Sequence, residues 1–316
     1  MRCVYVITPS FNAFNTIDET LYSVFNQQGD HKIRYHVQDG MSRDGTQKKL
    51  EKFAQKIKNC VSKDTFEFSW VSRPDNGMYH AISLAVEHLD IPEEDFMGWI
   101  NSDDLLYNGC ITHLFMAADL LPRAQWFGGL PLSTDMNGNI ISKQGFNWYG
   151  QQLIKNGLCD GIHWQYIQQE GTFWQKRLWD AVGGINPNLR LAGDWDLWRR
   201  MATHAPYIQL PWHMGIFRKH PGQLSSNLAA YNEEIDTICP MAARCRRLRS
   251  LSIKPAKFFA PTVIPIGDNQ FKLADIPLST ILTCKMRIRF FLLSMGLHPI
   301  VTICQRILRL FKACEK

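Results

Sequence analysis

The chain has 316 residues, of which 45% are hydrophobic and 20% charged, which describes an ordinary folded protein of one large or two smaller domains. Its nine cysteines are odd in number and include no CxxC pair, which indicates free thiols in a reducing compartment and argues against a zinc site. No signal peptide precedes the first predicted strand, so we expect a cytoplasmic protein.

Short apolar strands alternate with helices through the first third of the chain. The apolar spacing predicts helices at 16–28, 47–57 and 78–89, and strands at 4–7, 34–40, 66–71 and from Phe96 onward. This order predicts an α/β fold, a doubly wound and mostly parallel sheet with helices on both faces.

Polar residues follow each of these predicted strands. They occupy residues 8–12, 39–44, 73–76 and 101–104. The carboxyl ends of parallel strands form one rim of an open sheet, and ligands bind at that rim. The adjacent carboxylates of Asp103 and Asp104 suit a hard divalent cation that carries a phosphorylated ligand. The alternative is that one of these aspartates only caps the next helix.

Two common phosphate-binding loops are missing from the sequence. The turn after the first strand contains no GxGxxG pattern, and the chain has no Walker A motif. A nucleotide would therefore have to be recognised by side chains and a metal ion instead of by a backbone cradle.

Five motifs in order carry a family resemblance. They are TPSFN at 8–12, QDGMSRDGT at 38–46, RPDNGMYHAI at 73–82, NSDD at 101–104 and LAGDWDLW at 191–198. Together they resemble the family 2 glycosyltransferases of the GT-A fold, over about residues 8–225. The family consists of inverting enzymes that use nucleotide-sugar donors, and many of its members make bacterial surface polysaccharides.

The resemblance implies that residues 1–105 form the half that binds the nucleotide-sugar. The implied donor-binding residues are Thr8, Pro9, Asp39, Arg73, Asn76, Asn101, Ser102 and Asp103. Asp39 also has a physical rationale, because a carboxylate can accept a hydrogen bond from a uracil imide or a ribose hydroxyl. Asp44 is expected to cap its helix, and Arg73 could pair with a diphosphate.

The implied metal ligands are Asp103, Asp104 and His220, which would hold Mg²⁺ or Mn²⁺. The sequence departs from the common DxD-like motif of the family because Asn101 replaces the first carboxylate. An amide oxygen can contact a metal or a ribose but brings no charge. His220 lies beside Arg218 in a segment that resembles the family's closing loop, although an ordinary surface histidine is the alternative.

Residues 106–238 are expected to form the acceptor-binding half of the same domain. By the resemblance, Asp194 is the general base of an inverting transfer, and Asp196 is structural. The rival interpretation is that Asp194 is a helix N-cap. Glu170, Trp174 and Trp195 are the predicted acceptor-binding residues, since polar groups beside aromatic rings suit hydroxyl-rich ligands, although a buried aromatic core is the alternative. No QxxRW motif is present, which favours a single sugar addition.

Residues 239–316 are predicted to form a basic, amphipathic helical tail. From residue 241 the chain carries 14 basic and 3 acidic residues, against 21 and 26 before it. An apolar run over about 290–303 is too short to span a membrane and is flanked by cations, so we expect the tail to lie on an anionic inner membrane. A packed helical hairpin or a dimer interface would be alternatives. No nucleic-acid-binding motif accompanies the charge, so no nucleic-acid partner is expected.

The predicted function is transfer of one sugar from a nucleotide-diphosphate-sugar, a UDP-sugar, to a hydroxyl of a lipid-linked or glycan acceptor with inversion. The expected setting is bacterial O-antigen, capsule or exopolysaccharide synthesis by a peripheral or monotopic protein at the cytoplasmic face of the inner membrane. A homo-oligomer is compatible with this interpretation. The alternatives are a non-catalytic nucleotide-sugar-binding or scaffold protein and a nucleotidyltransferase.

Overall fold

The computed structural model describes residues 1–27, 29–60, 65–255, 258–267, 270–295 and 297. Its first part contains the strands β1 (Arg2–Ser10), β2 (His31–Asp39), β3 (Phe66–Ser72) and β4 (Phe96–Trp99), and the helices α1 (Ile17–Phe25), α2 (Thr46–Cys60) and α3 (Met78–His88). β1 pairs in parallel with both β2 and β4, and β2 pairs in parallel with β3. The predicted alternation of strands and helices is confirmed.

The second part adds short strands and helices. The strands are β5 (Leu105–Leu106), β6 (Trp126–Gly128), β7 (Leu132–Asp135), β8 (Ile140–Lys143), β9 (Phe173–Gln175), β10 (Ile208–Gln209) and β11 (Gly215–Lys219). The helices are α4 (Cys110–Leu120), α5 (Gln151–Lys155), α6 (Lys176–Ala181), α7 (Gly193–Met201) and α8 (Leu228–Ile238). β7 and β8 form a hairpin, whose turn contains Gly138 at a φ of 83°.

The last described elements are α9 (Met241–Ile253), β12 (Phe259–Gly267), β13 (Gln270–Pro277), α10 (Leu278–Ile281) and α11 (Cys284–Ser294). The main sheet has nine strands in the order β13-β12-β10-β6-β9-β4-β1-β2-β3, and a second sheet has the order β5-β11-β7-β8. β9 runs antiparallel between β4 and β6, which makes the main sheet mixed at its centre.

The buried residues of β1 alternate between two cores. Val4 and Val6 belong to a core built with α1, α2 and α4, whereas Tyr5 and Ile7 belong to a core built with α3, α5, α6 and α7. This alternation follows from the two-residue period of a strand. Helices therefore cover both faces of the main sheet, as predicted.

The prediction of a helical tail is wrong at residues 259–267 and 270–277, because these residues form two strands of the main sheet. β12 pairs with β10 through Thr262 and Gln209, and the Thr262 hydroxyl donates to the Gln209 carbonyl at 2.7 Å. Backbone groups at this edge of β10 would be unpaired without β12.

The two helices on either side of this hairpin, α9 and α11, pack on the body of the protein. Phe290 and Leu293 of α11 are buried in the core that contains α3 and α7, and the Arg289 guanidinium donates to the Ile162 carbonyl. No helix of the described ranges has the length and apolar character that crossing a membrane requires. Residues 298–316 of the predicted tail lie outside the described residues.

Two neighbouring phenylalanines of α11 provide a test of this packing. Phe290 is 1% exposed and Phe291 is 42% exposed. We expect Phe290→Ala to lower the free energy of unfolding by about 3–5 kcal/mol, because it leaves a cavity in the core. Phe291→Ala should change it by less than about 0.5 kcal/mol. Urea unfolding of the full chain measures both, and equally small effects would contradict the packing of α11.

Candidate active site

The site is centred on Asp103, which follows β4, and His220, which follows β11. His220 Nε2 lies 2.9 Å from Asp103 Oδ2, and both side chains are about a quarter exposed. The other imidazole nitrogen, Nδ1, contacts the Pro221 carbonyl at 2.9 Å. The structure thus brings together two predicted metal ligands that are far apart in the sequence.

Asp104 points into the protein, away from solvent, and is 1% exposed. Its Oδ1 accepts from the backbone N–H of Arg218 at 2.8 Å, and its Oδ2 accepts from the Asn101 amide at 3.2 Å. The predicted role of Asp104 as a metal ligand is therefore corrected to a structural one, which joins the end of β4 to β11.

Glu170 lies against Asp104 and is also buried. Burial raises the pKa of Asp104 well above its usual range, and the charges of Glu170 and Asp103 raise it further. Burial likewise raises the pKa of Glu170 to about 7. Ionising both of two neighbouring buried carboxyl groups is costly, so protonation is favoured at this pair. Glu170 is buried beside Asp104, so the prediction that it contacts an acceptor is corrected.

Arg218 supports the site, and this structural role was not predicted from the sequence. Its buried guanidinium donates to the Asp103 carbonyl and to the Glu19 carboxylate on α1. The backbone N–H of the same residue donates to Asp104. A buried arginine needs such partners to offset the loss of hydration. Arg218 therefore fixes the backbone that carries both Asp103 and His220.

The donor set fits a hard divalent cation. Asp103 supplies a carboxylate and His220 an imidazole, and the buried Asn101 Oδ1 accepts no hydrogen bond from any described residue. Oxygen ligands of this kind suit Mg²⁺ and Mn²⁺. Within the described residues no group of three or more His, Cys, Asp or Glu could hold a metal ion. A cation here would take its remaining ligands from a bound phosphate and water.

Asp39 organises the loop that follows β2. Its fully buried carboxylate accepts from the Ser42 N–H at 3.0 Å, from the Ser42 hydroxyl at 2.5 Å and from the Ser72 hydroxyl at 2.6 Å. Asp44 accepts from the Thr46 N–H at 3.0 Å and from the Phe14 N–H at 2.8 Å, which agrees with its expected capping role. Donor contact by Asp39 stays a prediction.

The other predicted donor residues occupy varied positions. β1 is longer than predicted, so Thr8 and Pro9 lie in the strand, and the Thr8 hydroxyl contacts the Tyr35 hydroxyl at 2.9 Å. The Arg73 guanidinium donates to the Leu84 carbonyl of α3 at 3.0 Å, so in this structure it ties β3 to α3 instead of standing free for a diphosphate. Asn76 is exposed, and Ser102 is partly exposed beside Asp103.

Asp194 lies in the first turn of α7. Its Oδ1 accepts from the Trp195 N–H at 2.8 Å and from the Tyr79 hydroxyl at 3.4 Å. Burial raises the pKa of Asp194 to about 6, although these two hydrogen bonds oppose the rise. Ala192 occupies the N-cap position, so the rival interpretation of Asp194 as an N-cap is wrong.

Glu234 of α8 binds the loop that precedes α7. Its carboxylate accepts from the backbone N–H groups of Arg190, Leu191 and Ala192 at 2.7, 2.7 and 2.6 Å. No motif in the sequence pointed to this residue. The contact fixes the loop before α7 and therefore the position of Asp194.

The aromatic and acidic neighbours of Asp194 are structural. Asp196 forms ion pairs with Arg199 and Arg200, in agreement with its predicted structural role. Trp174 is fully buried and packs against other tryptophans, and Trp195 is 4% exposed in a small core with α8. The predicted acceptor contacts of Trp174 and Trp195 are therefore corrected, because neither ring is available to a ligand.

The charges of Asp103 and Asp194 both act on the buried Glu170. They add to the effect of burial in raising the Glu170 pKa. The site thus combines Asp194, a carboxyl group with a pKa near 6, with the contact between Asp103 and His220.

The sequence model of glycosyl transferase family 2 matches residues 5–179. This is more than half of the chain. The chain belongs to glycosyl transferase family 2. The matched region includes β1 to β4 and Asp103, whereas Asp194 and His220 follow it in the sequence. No curated protein sequence matches this chain.

Solved structures resemble the fold of this glycosyltransferase. S. aureus TarS 1–349 in complex with UDP-GlcNAc matches with a TM-score of 0.55 and 15% identity, over 94% of this chain and 72% of that chain. The same TarS fragment in complex with UDP matches with a TM-score of 0.54 and 14% identity, with the same coverage. These likenesses confirm the GT-A fold.

The raised pKa of Glu170 predicts how the stability of the glycosyltransferase depends on pH. The folded-state pKa of Glu170, about 7, exceeds its ordinary value of 4.5, so the protonated form stabilises the fold at low pH. The free energy of unfolding should fall as pH rises from 4.5 through 7, by up to about 1.4 kcal/mol per pH unit.

Glu170→Gln should remove this part of the pH dependence, because glutamine stays neutral. Urea unfolding of the metal-free chain between pH 5 and pH 8 measures it. Glu51→Gln, at an exposed position of α2, is the control and should keep the wild-type slope. Equal slopes in all three proteins would contradict the raised pKa.

Proposed function

We propose that the protein transfers one sugar from a nucleotide-diphosphate-sugar to an acceptor hydroxyl with inversion. The observation that carries this proposal is the position of Asp194, a carboxyl group with a raised pKa, near the buried Glu170 that also borders Asp103. Membership of the family gives the class of reaction, which is glycosyl transfer. In this arrangement Asp194 would be the base, and the nucleoside diphosphate would leave beside Asp103.

The chemistry requires one base and no covalent intermediate. Asp194 accepts the proton of the acceptor hydroxyl as that oxygen attacks the anomeric carbon, while the bond between this carbon and the diphosphate oxygen breaks. Attack from the face opposite the diphosphate inverts the anomeric centre. A cation held by Asp103 and His220 would stabilise the charge of the departing diphosphate.

UDP is the proposed donor nucleotide. The S. aureus TarS fragment, which resembles this fold, was crystallised with UDP-GlcNAc and with UDP, and this supports the proposal. The proposed acceptor is lipid-linked or a glycan, in bacterial polysaccharide synthesis. Asp39, Asn76, Ser102 and Asn101 remain proposed donor contacts, from their places along the rim.

Thermal unfolding with UDP, GDP and ADP, each with and without Mn²⁺, tests the donor site, because a ligand of the folded state raises Tm. We expect a Mn²⁺-dependent rise with UDP that is lost in Asp103→Ala. Asp180→Ala, at an exposed aspartate of α6, should keep the rise. No rise with any nucleotide would contradict the proposal, and nucleotide binding without transfer would favour a non-catalytic role.

The pH dependence of transfer tests the base. With a pKa of about 6, Asp194 is ionised at neutral pH, so kcat should increase with pH through about 6 and then level off. Asp194→Asn should abolish transfer and keep the UDP-dependent rise in Tm. Tyr79→Phe removes a hydrogen bond that lowers this pKa, so the profile should shift to higher pH. Transfer by the Asp194→Asn variant would refute the assignment.

We also propose that α9 and α11 bind an anionic membrane surface. Ile288, Phe291 and Met295 are exposed at helical spacing along α11, and Arg246 and Arg249 are exposed on the adjoining α9. Cations at the headgroups and apolar side chains at the acyl boundary suit such a surface.

Co-sedimentation with phosphatidylglycerol vesicles tests this surface, with neutral phosphatidylcholine vesicles as the comparison. The double variant Ile288→Ser and Phe291→Ser should lose most of the binding. Ile141→Ser, at a residue of β8 that is 51% exposed, should keep it. Equal binding by the wild type and the double variant would exclude the surface.

A further inference from the structure

Two tyrosines outside the predicted motifs lie beside Asp194. Tyr166 belongs to the segment between α5 and β9 and is 40% exposed, and Tyr231 belongs to α8 and is partly exposed. Their rings meet edge to face, with centroids 5.5 Å apart and an interplanar angle of 80°. Aromatic pairs prefer this geometry, which fixes both rings.

Packing places the two rings near the start of α7, which carries Asp194. Tyr231 packs against the small core that contains Ala192 and Trp195, and Tyr166 contacts Tyr231. Burial raises the pKa of Tyr166 to about 12, and the negative charges of Asp160 and Asp194 contribute to the rise. Burial also raises the pKa of Tyr231 well above its usual value, with the charge of Asp194 as the next cause. The Tyr79 hydroxyl contacts Asp194 directly at 3.4 Å. Tyr79 thus contacts Asp194, and Tyr231 and Tyr166 lie nearby at the start of α7.

The backbone holds the Tyr166 ring in place. Gly161 has a φ of +75°, and a Cβ at this position would lie 2.2 Å from two ring carbons of Tyr166. Only glycine at position 161 leaves room for the Tyr166 ring. The Tyr166 carbonyl accepts a hydrogen bond from the Tyr149 hydroxyl, which anchors the main chain. The hydroxyl-bearing edge of the ring lies against Gly161, and 40% of the residue is exposed.

The hydroxyl groups of Tyr166 and Tyr231 are available to a ligand. Neither forms a hydrogen bond with another residue in the described part of the chain, whereas the hydroxyls of Tyr35, Tyr79 and Tyr149 do. The site therefore offers an aromatic surface with two polar groups at its edge, beside a carboxylate that can accept a proton. A pyranose ring has matching features, because its C–H face is apolar and its rim carries hydroxyls.

We infer that Tyr166 and Tyr231 form the acceptor subsite and that the acceptor presents an uncharged pyranose ring, which packs on Tyr166 and directs a hydroxyl to Asp194. This inference rests on the proposed function and specifies its acceptor class. The carboxylates of Asp194 and Glu234 disfavour an anionic acceptor such as a polyol phosphate, since like charges repel at short range. The alternative is that the two rings only shield Asp194 from water.

Saturation-transfer NMR with the full chain tests the subsite directly, without knowledge of the natural substrate. The probes are octyl β-glucopyranoside, octyl β-galactopyranoside and octyl α-mannopyranoside, with ribitol 5-phosphate as the anionic comparison. We expect signal from ring protons of at least one pyranoside, loss of this signal in Tyr166→Ala, and no signal from ribitol phosphate. Signal from no pyranoside, or equal signal in the variant, would overturn the inference.

Transfer kinetics distinguish a subsite from a shield. Tyr166→Ala should raise KM for the bound octyl pyranoside roughly tenfold, as expected for the loss of about 1.4 kcal/mol of ring contact. Tyr166→Phe should keep most of the affinity, and Tyr107→Ala, at a tyrosine that is 39% exposed, is the matched control.

A fall in UDP release and transfer together, with KM unchanged, would show that the rings only shield the base and would overturn the inference. Failure of the proposed function would look different, because then the wild-type chain would neither bind UDP nor release it from any UDP-sugar. The NMR comparison of wild type and Tyr166→Ala would still decide the subsite in that case.

Discussion

The buried polar junction between β4 and β11 determines the geometry of the site. Asp104 accepts from the backbone of Arg218, and the Arg218 guanidinium returns to the Asp103 carbonyl and to Glu19 of α1. β4 belongs to the main sheet and β11 to the second sheet, so these bonds join two separate hydrogen-bonded layers. Removing one partner would leave a buried charge unpaired, which is strongly destabilising. The approach of His220 to Asp103 is a consequence of this junction.

The raised pKa values of Asp104 and Glu170 also affect the charge near the proposed donor site. If both carboxyl groups were ionised, they would add two negative charges behind Asp103 and would repel a diphosphate. Burial favours the neutral form of these carboxyl groups, as the raised pKa values of both groups indicate. Asp103 can then act as the main negative charge that faces a cation.

The strands and helices before Asp103 were predictable because their signals are local. Apolar spacing predicted β1 to β4 and α1 to α3, and the rule for strand ends grouped the polar segments at one rim. The meeting of Asp103 and His220 was implied by the family resemblance, and the structure brings the two side chains to 2.9 Å.

Other features depended on distant parts of the chain and could not be predicted. Asp104 turns inward only because Arg218 arrives from β11, and the sequence of NSDD does not contain that information. Trp174 was predicted to contact an acceptor, but aromatic residues beside polar ones look alike whether they line a core or a ligand site. The hairpin of β12 and β13 was missed because charge and apolar content suggested helices throughout the tail.

That hairpin has a consequence for the order in which the protein can fold. β10 has only two residues, and its outer edge is completed by β12, which follows it by about fifty residues in the chain. During synthesis, β10 therefore leaves the ribosome before its partner exists and presents open backbone groups to other chains. A chain truncated before residue 259 would keep every residue of the proposed active site and still carry an exposed sheet edge prone to aggregation. β12 thus covers a sheet edge that would otherwise be open to other chains.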